Sequence, residues 1–280
     1  MVVTAGADHT VRTWDLTTGS EACDSLSAEV SAMATAVVGG DSLVVTATPD
    51  ATLHVVELAT GRTVHRPFPS GHGRVLAMAS ATLDGLPVAL TAGSDRVVGV
   101  WDLTTGQPLA APLTGHSSRI TAVATAVLDG RPVAVTGSWD KTVRLWDLAT
   151  GRQLGEPLTG HTDWVTAVAT ATLDGAPVAI SRGRDRTIRV WDLSTGQQIR
   201  DAQAAESGSG NTLAVSAMAD GRLVAAFGGD RTVRFRDLTA GCPAGSDHLL
   251  PFPVHSLATA PGGRFAVGFG DEVGVLSRAS

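Results

Sequence analysis

The chain has no tyrosine, one lysine (Lys141) and two cysteines among its 280 residues. Each scarcity closes off a class of protein. Cys23 and Cys242 lie far apart with no paired spacing, so neither a disulfide framework nor a zinc site is expected, and no metal or cofactor is implied. Nearly all the basic residues are arginine, no basic tract runs along the sequence, and the formal net charge is -6. A nucleic-acid partner therefore has little electrostatic support. No apolar run approaches the roughly 20 residues that span a bilayer, which argues against a membrane role. The start, MVVTAGADHT, has neither the basic nor the apolar region of a secretion signal, so a cytoplasmic protein is expected. Aromatics make up only 4% of the chain, whereas 43% is hydrophobic, chiefly alanine and valine. Such material suits a core of many thin, closely spaced layers better than one built on large rings. The bias toward Ala, Gly, Val, Asp and Arg also suggests a GC-rich, actinobacterial-like genome.

What the chain has in abundance is repetition. Residues 71–106, 115–151 and 160–196 nearly superimpose, and their Trp-Asp pairs fall at Trp101-Asp102, Trp146-Asp147 and Trp191-Asp192, about 45 residues apart. Degenerate copies end at Trp14-Asp15, Val56-Glu57, Arg236-Asp237 and near Leu276. The endings near 14, 56, 101, 146, 191, 236 and 276 read as seven four-stranded units in a single domain, 1–280.

One unit shows the local logic. Residues 119–127, small and β-branched, read as an innermost strand where large side chains would not fit. Asp129-Gly130 signals a turn. Residues 131–138 read as a second strand, Asp140-Lys141 as a tight turn, 142–148 as a third strand and 153–160 as containing an outer strand. Proline and charge in the outer strand discourage edge pairing. The inner strands carry near-continuous Ala/Val runs, as expected if neighbours cover both faces.

A Gly-His pair, a T/S-x-x-x-D turn and Trp-Asp, at fixed offsets, resemble the WD-repeat family. The resemblance covers nearly the whole chain and implies an all-β, seven-bladed propeller. It also implies a buried hydrogen-bond set in each complete copy. The matching positions are His72, Thr91, Asp95 and Trp101; His116, Thr136, Asp140 and Trp146; His161, Ser181, Asp185 and Trp191. Their donors and acceptors complement one another. The turn aspartates Asp8, Asp50, Asp95, Asp140, Asp185, Asp230 and Asp271 recur even where the histidine is lost. That periodicity fits a turn role better than a metal cluster.

The first copy begins at its second strand and the last ends after its third. The missing outer and inner strand would precede Met1, so an N-terminal truncation, a misplaced start or a fragment of a longer protein is expected. In copy six, Ala226 stands in the hydroxyl slot and Arg236 in the tryptophan slot, and 203–212 reads as a loop.

His-Ser/Thr-Asp also invites a hydrolase reading. Yet the set recurs three times at one period, and no G-x-S-x-G elbow is present. No catalytic residue is assigned, and the chain is read as a non-enzyme. The resemblance implies a monomeric scaffold that binds protein partners through loops on one face. Candidate contacts there are Arg74, Arg119, Trp139, Trp164, Arg182 and Arg184. Trp139 and Trp164 lie outside the repeated tryptophan slot, and exposed Trp and Arg are frequent interface anchors. Two other readings remain open: a sensor or targeting module of a larger bacterial signalling protein with a kinase or nucleotide-binding switch, and a propeller hydrolase.

Overall fold

The computed structural model describes residues 2–5, 10–15, 18, 20–27, 29–71, 73–200, 203–204, 212–260, 263–269 and 272–276. Among these there is no helix, and the strands form seven antiparallel sheets in chain order. Sheet 4 shows the pattern. Its inner strand Ile120–Leu128 pairs with Arg131–Ser138, which pairs with Val143–Asp147, which pairs with the outer strand Arg152–Leu158. Each expected strand is present, displaced by at most a few residues at its ends. Sheet 3 (Val75–Leu83, Leu86–Gly93, Val97–Asp102, Leu113–Thr114) and sheet 5 (Val165–Leu173, Ala176–Gly183, Thr187–Asp192, Gln203–Ala204) repeat it.

Sheet 1 holds three described strands, Val2–Ala5, Thr10–Trp14 and Glu21–Ser27. Val2 faces Trp14 as Ala134 faces Trp146, so Val2–Ala5 occupies the place of a second strand. Sheet 7 likewise has three: Val254–Ala260, Arg264–Phe269 and Glu272–Leu276.

Successive inner strands pack side by side, from Ala32–Val38 in sheet 2 through Thr212–Ala217 in sheet 6 to Val254–Ala260 in sheet 7. Only small side chains allow this approach, and their hydroxyls join the strands. Ser80 Oγ donates to the Thr35 carbonyl at 2.6 Å, Thr125 Oγ1 to that of Ser80 at 2.8 Å, and Thr170 Oγ1 to that of Thr125 at 2.7 Å. One residue per repeat thus links four neighbouring sheets.

Farther out, the sheets meet through apolar layers. Trp146 of sheet 4 packs with Val88, Leu90, Val98 and Val100 of sheet 3, and Trp191 of sheet 5 with Val133, Val135 and Leu145 of sheet 4. Second strands are buried on both faces because each is sandwiched between two sheets. Sheet 6, with Arg236 in the tryptophan slot, instead fills its junction with sheet 5 using buried Phe227.

The sheet 4–sheet 5 junction leaves no room for another methyl group at Gly137. A Cβ there would lie 2.6 Å from Val165 Cγ1 and 2.9 Å from Val168 Cγ1. Gly137→Ala is therefore expected to destabilise the fold by about 1–3 kcal/mol through overpacking, read as a lower denaturation midpoint. An unchanged midpoint would mean the sheets are not seated this closely.

Candidate interaction face and the polar chains beneath it

Four elements of each complete sheet converge below one face: the loop entering the inner strand, the second strand, the turn after it and the third strand. In sheet 4 the third-strand Trp146 donates from Nε1 to Thr136 Oγ1 at 2.8 Å. Thr136 Oγ1 lies 2.8 Å from His116 Nε2, and His116 Nδ1 lies 2.7 Å from Asp140 Oδ2. Asp140 also accepts from the Ser117 N–H at 3.0 Å, the Thr142 N–H at 3.0 Å and the Thr142 hydroxyl at 2.7 Å. In sheet 5 Trp191 Nε1 donates to Ser181 Oγ, which lies 2.8 Å from His161 Nε2, and His161 Nδ1 is 2.9 Å from Asp185 Oδ2.

One assignment of protons satisfies both chains. The indole N–H donates to the hydroxyl, the hydroxyl to a bare Nε2, and Nδ1–H to the carboxylate. Burial pushes the His161 pKa down and outweighs the pull of Asp185 in the other direction, with Arg189 lowering it further. Burial opposes ionisation of Asp185, but the Thr162 N–H, the Thr187 hydroxyl and His161 hold it below the usual carboxylate range. Asp140 is likewise held well below that range: burial works against it, and bonds from His116, Thr142 and the Ser117 N–H prevail.

In sheet 3 Trp101 Nε1 donates to Thr91 Oγ1 at 2.9 Å, and Asp95 sits half-buried in the turn; His72 lies outside the described residues. Asp8 and Asp271 also lie outside them. A pair the sequence reading overlooked occurs in sheet 1, where Trp14 Nε1 donates to Thr4 Oγ1 at 2.8 Å. The signal was available: a threonine ten residues before the tryptophan, as in copies three and four. Also overlooked was the work of the aspartate in each Trp-Asp pair. Asp147 Oδ1 accepts from the N–H groups of Ala149 and Thr150, and Asp192 Oδ1 from those of Ser194 and Thr195, capping the turn at the opposite face.

A family model described as "WD domain, G-beta repeat" matches residues 106–147 and 151–192. Each match runs from the outer strand of one sheet through the first three strands of the next. The chain is a seven-bladed β-propeller that carries WD repeats. Its sheets are thus the blades, and each sequence repeat bridges two of them. No curated protein matches the chain. WD-repeat propellers are commonly protein-interaction scaffolds and typically non-catalytic.

Above the polar chains, the propeller face presents most of the residues singled out in the sequence. Trp139, in the turn of blade 4, stacks on Trp164, at the entry to blade 5, with ring centroids 3.9 Å apart and planes inclined by 6°. Arg119 lies over the outer side of this pair at 4.9 Å from Trp139, and Arg184 over the other side at 4.9 Å from Trp164. Within blade 4 the Trp139 N–H donates to the Arg119 carbonyl, and within blade 5 the Arg184 N–H donates to that of Trp164. The same two repeat positions thus carry Arg then Trp in blade 4 and Trp then Arg in blade 5, and that exchange brings the indoles together. Both arginines are exposed and both indoles half-buried. Arg74, the counterpart of Arg119 in blade 3, is exposed on the same face.

Arg182 is a correction. Expected among the loop contacts, it is only 4% exposed and crosses to blade 6, where Nη1 donates to the carbonyls of Gly228 at 2.9 Å and Thr212 at 3.2 Å. Its guanidinium lies 5.5 Å from the Phe227 ring. Burial, then the charge of Arg234, pull its pKa down to about 10, so it stays charged at neutral pH. It belongs to a strand rather than a loop, and it works as a strut between blades.

Two outcomes follow. Ser181→Ala strands the Trp191 N–H and His161 Nε2 in a buried site and is expected to cost about 2 kcal/mol, measured by denaturant unfolding; a neutral effect would refute the bonded chain. The pH dependence has a definite sign. Because the folded pKa of His161 is depressed, its contribution is complete above the unfolded value of about 6.5 and is lost as pH falls toward the folded value. Asp140 and Asp185 contribute fully above about pH 4 and lose that contribution on further acidification. The denaturation midpoint should therefore drop as the pH falls below about 6.5 and drop again below about 4. His161→Asn should reduce the first drop, and a midpoint equally pH-sensitive in this variant would contradict the assignment.

Proposed function

We propose that this chain is a non-catalytic scaffold that binds a protein partner through the face bearing Arg74, Arg119, Trp139, Trp164 and Arg184. One observation carries the reading. Two tryptophans with no place in the repeat stand half-exposed, stacked and flanked by arginines, on loops pinned from beneath. Loops on a rigid scaffold are common carriers of recognition, and Trp and Arg anchors dominate many interfaces. The buried hydroxyls of Thr136 and Ser181 belong to the polar chains, which favours a structural role over a nucleophilic one. A monomer acting in the cytoplasm, without nucleic acid or membrane, is part of the same proposal.

The stack also ties blade 4 to blade 5, so binding and stability must be measured together. Trp139→Ala/Trp164→Ala is expected to abolish retention of the partner at a temperature where the variant remains folded. Asp129→Ala/Asp174→Ala, on the opposite face, should leave retention intact. Retention that survives the first substitution, or fails with the second, would count against this face.

A further inference from the structure

We propose that the face of blades 3–5 takes an acidic peptide segment of its partner, with carboxylates on Arg119 and Arg184 and an apolar side chain over the edges of the Trp139–Trp164 pair. The inference rests on the reading of this face as protein-binding and narrows it to one chemistry.

Charge is the first argument. The chain as a whole is acidic, yet Arg74, Arg96, Arg119, Lys141, Arg184 and Arg186 all stand exposed on this one face. Their side chains make no ion pair or hydrogen bond among the described residues, and Arg119 and Arg184 lie over the indoles. The carboxylates of the same loops are already engaged. Asp140 and Asp185 are turned inward to their histidines, and Asp163 accepts from the Trp164 N–H. On the opposite face, the turns after the inner strands expose Asp84, Asp129 and Asp174, against which stand Arg131 and Arg152. Blades 3–5 are thus polarised, positive where the tryptophans are.

Backbone conformation is the second. Arg96, Lys141 and Arg186 occupy equivalent turn positions with φ of 70°, 72° and 62°. This left-handed region suits glycine or asparagine, and nothing in the turn calls for a cation. Three successive copies nevertheless put one there. Repeated in register, they set three further positive charges on the same face.

The state of the indoles decides which anion. Nucleic-acid bases are held on open aromatic faces. Here each indole has one face against the other indole and one under a guanidinium, so no ring face is left for a base. What remains outward is the edges of two rings between two guanidinium forks. Such forks match carboxylates in paired hydrogen bonds. Acid, apolar residue, acid is therefore the pattern the surface fits, and an extended peptide supplies it.

The test is selection from a random-peptide display library on the intact chain, followed by affinity measurement with the enriched peptides. Enrichment of Asp and Glu around an apolar residue is expected. Replacing those acids by Asn and Gln should weaken binding by about tenfold or more, as should Arg119→Glu/Arg184→Glu in the chain. Raised salt should weaken it too. The charge-reversed chain keeps both tryptophans, so a loss of binding with an unchanged unfolding midpoint is not a folding defect. Enriched peptides without acids that still lose binding on Trp139→Ala/Trp164→Ala would overturn the acidic ligand while leaving a protein-binding face. Peptides that bind elsewhere, no enrichment at all, or tighter binding of single-stranded oligonucleotide than of the acidic peptide would overturn both.

Discussion

The structure depends on a hydrogen-bonded chain that runs from a tryptophan indole through a hydroxyl and an imidazole to a carboxylate. Its members come from four separate elements of the blade, so it fixes their mutual positions in one stroke. Being buried, it tolerates no missing partner: a stranded donor or acceptor costs more than the bond itself contributes. It also reaches the surface indirectly. Asp140 directly follows Trp139, Asp185 directly follows Arg184, and His116 and His161 sit three residues before Arg119 and Trp164. The residues that end the buried chains are thus neighbours of those that form the exposed stack, and rigidity below becomes preorganisation above.

Between blades, a different economy applies. Near the axis, Thr35, Ser80, Thr125 and Thr170 pass hydrogen bonds from one inner strand to the next, because only small residues let the strands approach. Farther out, the tryptophan bodies fill the wedge that opens between diverging sheets. Blade 6 departs from this scheme, with Ala226 and Arg236 in the hydroxyl and indole slots. Phe227 supplies bulk and Arg182 of blade 5 supplies donors to the carbonyls of Thr212 and Gly228. The junction is maintained by other means.

Much of this was legible in the sequence because a repeat reports the same constraint several times over. The strands of blade 4 follow from the alternation of apolar runs and Asp-Gly or Asp-Lys turns, and the hydrogen-bond partners follow from the resemblance to the WD-repeat family, placed by offsets that agree across copies. What could not be read is what lies between copies. Trp139 and Trp164 occupy different positions in the repeat, and only the placement of one blade's turn beside the next blade's entry loop makes them a pair. Arg182 was misplaced for a similar reason. Two residues from Arg184 in the chain, it precedes the turn and points into the neighbouring blade, and no spacing rule distinguishes the two. The hydroxyl ladder of the inner strands was visible as a period of about 45, but its acceptors are backbone carbonyls and leave no trace in the sequence.

Hydrogen exchange of the indole N–H protons, followed by NMR on the intact chain, examines the central chain most directly. Trp146 and Trp191 should exchange only on the timescale of global unfolding, while the half-exposed Trp139 and Trp164 should exchange far faster. If Trp146 and Trp191 lost their protons as readily as Trp139 and Trp164, the indoles would not be locked to Thr136 and Ser181, and the framework described here would be wrong.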